Sequence, residues 1–305
     1  MKEALEEHAN SALNRAGLLN LAVVYVVWSS TYLAIRVAVR TGSGFPPFTL
    51  GATRLVVASA ILLSLAFLSR QNLRLSRRQL AMTAASGLLL WVGGNGMVNW
   101  AEQTAPSGFA ALMLGSIPLW VAAIQAISSR ERPSPTLALS LICGFVGVAV
   151  LSAPDLLEGG SIGIADSVVL LFAAASWGLG SVLQTRAEPT ASPIVSSAFQ
   201  QLFGAIGMIA LVFLAREPPA TPSISALWAW GYLIVFGSVL AFTCYVTALR
   251  LLPTKIAMTY AYVNPVLAVV LGFLVLQEAI TPWVVAGAAL IVIGVAGVFR
   301  SHRSG

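Results

Sequence analysis

The residues most able to do chemistry in this chain are polar side chains inside long apolar stretches. One stretch carries four residues at spacings of three or four, which share one face of a helix: Trp91, Asn95, Asn99 and Glu102. An asparagine in hydrocarbon is costly unless it has a partner, so this face should meet a wet cavity or another helix. Amides bind small polar ligands and also join helices, so the spacing alone leaves both roles open.

Aromatic residues recur on similar faces of other apolar stretches. Trp28 and Tyr32 share one face, and Trp177 and Ser181 share another. A tryptophan often anchors a helix at the membrane interface, but these two lie about ten or more residues inside their stretches. We therefore expect one cavity, walled by aromatic faces and amides. Its predicted lining residues are Trp28, Tyr32, Asn95, Asn99, Trp177, Ser181, Tyr245, Tyr260 and Asn264.

Three charged residues could act as a gate or a coupling group: Arg36, Arg54 and Glu102. Arg54 is the one basic residue well inside an apolar stretch, about 10 Å from its end at the helical rise. A guanidinium at that depth needs a partner, and Glu102 is the predicted one. Binding the carboxylate of a ligand is the alternative role for Arg54.

The pattern of catalytic residue types does not indicate an enzyme. The sequence shows no zinc-binding HExxH pair, no phosphate-binding loop and no cluster of metal ligands. Both histidines, His8 and His302, lie in the terminal tails, and Cys143 and Cys244 lie in separate apolar stretches. We expect no enzymatic activity, cofactor, metal or disulfide.

The composition indicates that lipid is the solvent of this chain. Of 305 residues, 58% are hydrophobic and 9% are charged, whereas an ordinary soluble domain has about 25% charged residues. The formal net charge of +6 would suit nucleic acid in a soluble protein. Here the basic residues lie between apolar stretches and are better explained as determinants of membrane topology, so no nucleic-acid partner is expected.

Ten stretches are apolar enough to cross a bilayer, which takes about 20 residues. They are 18–39, 47–68, 80–101, 106–127, 135–152, 163–185, 193–215, 226–248, 256–277 and 281–299. Lysine and arginine are concentrated on the side that holds the two terminal tails, 1–17 and 300–305, so both tails are predicted to be cytoplasmic. The predicted fold class is an all-α membrane protein.

The two halves of the sequence repeat each other. At a constant offset of 147, the aligned pairs are Pro118 with Pro265, Glu131 with Glu278, and Gly147 with Gly294. The halves, 18–152 and 163–299, each hold five stretches. Because five is odd, the halves enter the membrane from opposite sides, as two inverted five-helix repeats around a central cavity.

The aligned residues also predict local structure. The prolines predict kinks in the fourth and ninth helices, and the glutamates are placed to cap the helices that follow them. Small residues spaced seven apart predict close packing of the fifth and tenth helices. They are Ser140, Gly147, Gly287 and Gly294.

These motifs resemble the EamA family of the drug/metabolite transporter superfamily, and most of all its YddG-type amino-acid and metabolite exporters. The resemblance covers about residues 18–300 and rests on Trp28-Ser29-Ser30, Trp177-Gly178, Arg54 and the repeated Pro, Glu, Pro and Gly positions. It implies a ten-helix carrier of the bacterial inner membrane with a central cavity. One departure is Trp28-Ser29-Ser30, where many relatives have Trp-Gly-Ser.

The sequence therefore favours a monomeric exporter of small amphipathic metabolites, neutral or aromatic amino acids first, acting by alternating access. Facilitated transport is expected because no acid or histidine lies at the middle of a predicted span, although Glu102 could bind a proton from the outer side. The alternatives are a sugar or nucleotide-sugar carrier and, from another class, a channel or an intramembrane enzyme. A channel would show rings of charge, which the stretches lack.

Overall fold

The computed structural model describes residues 2–129, 134–158, 163–186 and 191–301, and every regular element in these ranges is a helix. The first half contains α1 (Lys2–Val39), α2 (Pro47–Leu68), α3 (Arg77–Gly87), π1 (Leu88–Gly96), α4 (Met97–Ala101), α5 (Ser107–Leu114), α6 (Ile117–Ser129) and α7 (Pro135–Glu158). The second half contains α8 (Ile164–Arg186), α9 (Pro193–Leu214), α10 (Ile224–Tyr232), π2 (Leu233–Ala241), α11 (Phe242–Leu251), α12 (Thr254–Ala257), α13 (Tyr260–Leu276) and α14 (Pro282–Ser301).

Six segments of the described residues are long and apolar enough to cross a membrane. They are Arg15–Val39, Pro47–Leu68, Ser107–Ser128, Ile164–Thr185, Pro193–Leu214 and Ile224–Leu251. Three apolar helices are shorter: Pro135–Val150, Val263–Leu276 and Pro282–Gly297. Large apolar side chains such as Phe67, Phe213 and Trp228 are exposed on the outside of the bundle, as a lipid-facing surface requires. The backbone of α1 is helical from Lys2 onward, so the predicted N-terminal tail continues directly into the first span.

Two π-helices of nine residues each interrupt the helical path, one in each half of the chain. A π-helix replaces the usual backbone bonds with i to i+5 bonds, and such segments are frequent at functional sites. Side chains from neighbouring helices bind the carbonyls of these segments. Ser176 Oγ donates to Leu89 O at 2.8 Å, Gln201 Nε2 to Ser238 O at 3.1 Å, and Trp28 Nε1 to Gly237 O at 3.3 Å. These bonds satisfy carbonyl groups of the π-helices, which inside a membrane protein need partners from the protein itself.

Helix breaks lie close to the two predicted kinks, although not at the prolines themselves. The chain breaks between α5 and α6, and Pro118 occupies the first turn of α6, where its missing N–H is not needed. Pro265 lies inside α13, whereas the neighbouring break separates α12 from α13. The two sites meet, because a Cβ on Gly115 would lie 3.2 Å from Pro265 Cγ. The break after α5 thus packs on α13.

The predicted seam of small residues is confirmed between α7 and α14, which pack along their lengths. A Cβ on Gly294 would lie 2.5 Å from Gly144 N and 2.7 Å from Ser140 O. A Cβ on Gly147 would lie 2.7 Å from Ile291 N. The two backbones approach each other so closely that only glycine fits at these positions.

Two glutamates in the second half of the chain bind helix N-termini in the first half. Glu278 accepts from Ser107 N at 2.8 Å and Gly108 N at 3.1 Å, at the start of α5. Glu217 accepts from the backbone N–H of Phe48 at 2.8 Å and of Thr49 at 2.7 Å, at the start of α2. The prediction that Glu278 caps the helix after it is therefore wrong, because its carboxylate binds the N-terminal N–H groups of α5. The matching residue, Glu131, lies outside the described residues.

The seam between α7 and α14 gives a test of the packing. We expect Gly294→Ala to lower the free energy of unfolding by about 1–3 kcal/mol, because its methyl group would meet backbone atoms that cannot rotate away. Gly231→Ala in α10 is the control, since a Cβ there has open space around it. Unfolding in mixed detergent micelles measures both. Equal stabilities of the two variants would contradict the close approach.

Candidate functional site

A cavity of about 490 Å³, part of which is open to solvent, lies between helices of both halves. Five aromatic residues line it: Trp28, Tyr32, Trp91, Trp177 and Tyr260. Four aliphatic residues line it: Ile35, Val98, Leu114 and Ile117. The polar lining residues are Thr31, Asn95 and Arg54, so the lining carries one charge, and that charge is positive.

The aromatic residues form a connected cluster around Trp28. The ring centroid of Trp28 is 5.4 Å from that of Trp177, 5.3 Å from that of Tyr260 and 4.9 Å from that of Tyr245. The contacts with Trp177 and Tyr260 are edge-to-face, the geometry that aromatic quadrupoles prefer. α1, α8, α11 and α13 each contribute one ring, so the cluster is a rigid apolar wall built from four helices.

Two of the predicted lining residues, Tyr245 and Ser181, do not face the cavity themselves. Tyr245 is fully buried, and its hydroxyl is 2.7 Å from Ser181 Oγ. Ser181 Oγ also donates to Trp177 O at 2.7 Å. These bonds hold the ring of Tyr245 against Trp28 and Trp177. Tyr245 and Ser181 therefore support the cavity wall, while Trp28, Tyr32, Trp177 and Tyr260 face the cavity directly.

The two asparagines of the third predicted span lie in different surroundings. Asn95 lines the cavity. In place of the lining role expected from the sequence, Asn99 is fully buried and its Nδ2 donates to Pro47 O at 3.2 Å, which joins α4 to the start of α2. The expectation used a constant helical step of 100° per residue, and this step does not hold through π1. Asn99 thus takes the second role left open by the spacing, a hydrogen bond between helices.

Asn264 also joins helices. It is buried on α13, and its amide lies 3.2 Å from Ser29 Oγ on α1. With its nitrogen on that side, the amide also donates to Tyr260 O at 3.2 Å and Tyr25 O at 3.3 Å. The residue therefore fastens α13 to α1 next to the aromatic cluster and does not line the cavity.

Arg54 reaches the cavity from α2 and is almost fully buried, with 2% of its surface exposed. Its Nε donates to Ser238 Oγ at 2.7 Å, and its Nη1 donates to Asn95 Oδ1 at 3.3 Å. Its Cζ lies 5.2 Å from the ring centroid of Trp91, within cation–π range. Each π-helix thus supplies neutral contacts to the guanidinium: Trp91 and Asn95 come from π1 and Ser238 comes from π2.

Glu102 is not the partner of Arg54 that the sequence predicted. It lies at the end of α4, where Arg36 Nη1 donates to its backbone carbonyl at 2.6 Å. The carboxylate is fully buried, and neither of its oxygens has a hydrogen-bond partner among the residues that the structure describes. The change of helical step in π1 precedes this residue and directs it toward α1 in place of α2.

Some of the lining residues that were not predicted could have been found from the sequence. Trp91 shares the spacing of Asn95, and Leu114 and Ile117 flank the helix break next to Pro118. Thr31 lies one residue from Tyr32, on a part of the helix that the spacing did not select. In the described ranges, no group of three or more His, Cys, Asp or Glu residues could hold a metal ion.

The aromatic cluster gives a test of the wall. We expect Trp177→Ala to lower the free energy of unfolding by about 3–5 kcal/mol, because Trp177 is 7% exposed and packs on three other rings. Trp228→Ala is the matched control, since Trp228 is 78% exposed. Denaturation in detergent micelles measures both. Similar losses in the two variants would show that the cluster adds nothing to stability.

Comparison with known proteins gives consistent results. A model of the EamA-like transporter family matches residues 15–153 and again residues 166–300. The "Uncharacterized inner membrane transporter YedA" of Escherichia coli (strain K12) is 33% identical over 254 residues, which cover 83% of this chain and 80% of that protein. The "Uncharacterized transporter YoaV" of Bacillus subtilis (strain 168) is 24% identical, over 91% of this chain and 94% of that protein.

A further relative, from Streptantibioticus cattleyicolor, has the name "Probable terminal-alkyne amino-acid exporter" and is 25% identical over 93% of this chain and 92% of its own length. One solved crystal structure shares the fold with a TM-score of 0.66 and 22% identity, over 95% of this chain and 99% of that one. The apolar helices, the outward-facing apolar side chains and the family match in each half all indicate the same class of protein. This chain belongs to the EamA-like transporter family and is a multi-pass membrane transporter of the drug/metabolite transporter superfamily.

Proposed function

We propose that this transporter exports small amphipathic metabolites, with neutral and aromatic amino acids first, by alternating access through the cavity. The observation that carries the proposal is the composition of the cavity wall. Aromatic and aliphatic side chains dominate it, with a single amide and a single guanidinium. Such a wall suits a solute that has an apolar side chain and a small polar end. The amino-acid exporter among the relatives supports this class of cargo.

We also propose the architecture that would carry out this cycle. It has ten transmembrane helices in two inverted repeats, 18–152 and 163–299, around the cavity. The family model that matches each half once and the two π-helices of equal length support the duplication. Inverted repeats allow one site to open to either side of the membrane. We propose a monomer in a bacterial inner membrane. Both termini are proposed to be cytoplasmic, because lysine and arginine are concentrated on the side of the two tails.

A sugar or nucleotide-sugar carrier is the second candidate in the transport class. A diphosphate carries at least two negative charges and is usually bound by several cations. Of the described residues that line the cavity, Arg54 alone is a cation. The cavity therefore favours a solute with no more than one negative charge.

The test is solute counterflow in proteoliposomes that contain the purified protein. We expect labelled phenylalanine, leucine and methionine to accumulate against an internal pool of the same amino acid, well above protein-free liposomes. A nucleotide sugar and a sugar phosphate, run in the same way, should not exchange. Exchange of either phosphorylated solute, without any exchange of amino acids, would overturn the proposed cargo class.

We propose that transport is facilitated, with direction set by the solute gradient. Proton-driven carriers place acidic or histidine side chains along the path, and within the described part of the chain no Asp, Glu or His lines this cavity. Glu102 is the acid that could oppose this proposal, because its buried carboxylate has no hydrogen-bond partner in the described structure.

A pH gradient without a solute gradient tests the energy source. We expect phenylalanine to equilibrate across the proteoliposome membrane without accumulating, in the wild type and in Glu102→Gln alike. The control is Asp166→Asn, in which the altered carboxylate already accepts from Thr104 Oγ1 at 2.8 Å. Accumulation that is lost in Glu102→Gln and kept in Asp166→Asn would refute facilitated transport and identify Glu102 as the coupling residue.

A further inference from the structure

Arg54 is a buried cation without an anionic partner in the described structure. Its side-chain contacts are the hydroxyl of Ser238, the amide oxygen of Asn95 and the ring of Trp91, all of them neutral. The acid that the sequence offered as a partner, Glu102, lies beside Arg36 on α1. Burying a charge is costly unless an opposite charge or full hydrogen bonding compensates it. The compensation for Arg54 is incomplete within the protein.

The guanidinium also has unused donors. It carries five N–H groups in a rigid planar fork, and the two hydrogen bonds to Ser238 and Asn95 use two of them. Its Nη2 has no hydrogen-bond partner among the residues that the structure describes. Nη2 lies against Gly237, where a Cβ would be 3.0 Å away. The neutral contacts thus fix the plane of the fork and leave donors free beside the cavity.

A carboxylate matches these free donors. Arginine binds carboxylates through two parallel N–H bonds, which fix both position and orientation. Trp28, Trp177 and Tyr260 lie around the same cavity and present apolar ring surface to the remainder of a solute. Among the described residues no acidic side chain lines the cavity, so an ammonium group would meet ring faces and an amide there but no opposite charge.

We propose that Arg54 binds the carboxylate of the transported solute, so that a carboxylate on an apolar or aromatic tail defines the cargo and the amino group is dispensable. This inference rests on the proposed function and narrows its cargo class. It places apolar monocarboxylates beside amino acids as solutes of the same site. It excludes amines that have the same tail and no carboxylate.

Three compounds that share one tail test this without any change to the protein: L-phenylalanine, 3-phenylpropanoate and 2-phenylethylamine. Each is used to displace labelled phenylalanine from the detergent-purified wild type and is then tested in counterflow. We expect both carboxylates to bind and exchange, and the amine to bind at least about 30-fold more weakly. The leucine counterparts, 4-methylpentanoate and 3-methylbutylamine, repeat the comparison with an aliphatic tail. Binding of an amine as tight as that of its matched acid would overturn the proposal.

Substitutions then assign the effect to Arg54. We expect Arg54→Met to weaken binding of both phenyl carboxylates by at least about 30-fold and to leave the weak binding of the amine unchanged. Arg54→Lys should retain part of the affinity, because an ammonium keeps the charge but not the two-pronged geometry. The control is Arg216→Met, which removes an exposed arginine at the end of α9. Carboxylate binding by Arg54→Met within about twofold of the wild type would overturn the assignment.

The results separate this inference from the proposed function on which it rests. If amino acids exchange but the amines exchange equally well, the proposed cargo class is supported and the proposed role of Arg54 is refuted. If neither the phenyl compounds nor the leucine counterparts exchange while a phosphorylated sugar does, both the proposed cargo class and the proposed role of Arg54 are refuted. Because the comparison of acid and amine uses the wild type alone, it tests whether a carboxylate defines the cargo even if Arg54→Met does not fold. In that case Arg54→Lys, which keeps the charge, tests the assignment to Arg54 by a partial loss of carboxylate affinity.

Discussion

A guanidinium buried in an apolar helix bundle is the constraint on which the structure around the cavity depends. Arg54 must be held in place without a carboxylate in the described structure, and both π-helices contribute to this: Asn95 and Trp91 from π1, and Ser238 and Gly237 from π2. The π segments in turn need donors for their carbonyls, which neighbouring helices supply. Binding one cation at this depth thus joins elements from both halves of the chain.

Features that depend on residue size and spacing could be predicted from the sequence. The glycines of the α7–α14 seam and the meeting of Trp28 with Trp177 are examples, because close packing and helical faces follow directly from residue type and position. Features that depend on a local change of helical step could not be predicted from the sequence. No residue marked π1 in the sequence, so Asn99 was expected in the cavity and Glu102 beside Arg54. An error of one residue in phase moves a side chain to a different neighbour.

The acids of the described structure divide into two groups by their surroundings. Glu217 and Glu278 each accept from two backbone N–H groups and a hydroxyl at a helix N-terminus, so their charges serve to fasten one half of the chain to the other. Asp166 also has donors, the Thr104 hydroxyl and the backbone N–H of Gly163. Glu102 has no hydrogen-bond donor for its carboxylate among the described residues. Fully bonded acids have a structural role that leaves little freedom to exchange protons. Among the acids whose side chains the structure describes, the candidate for proton coupling is therefore Glu102, which lies outside the cavity lining.

The placement of charge around the cavity also bears on the transport cycle. An empty site contains a guanidinium with unused donors beside the cavity, and closing the bundle around it would remove water from an uncompensated charge. A bound carboxylate would neutralise that charge and use the free donors, so the closed, loaded state would be the less costly one. A site of this kind favours movement of the loaded carrier over movement of the empty one. Exchange of one solute for another is then the physically easier process, and net export is limited by the return of the empty site.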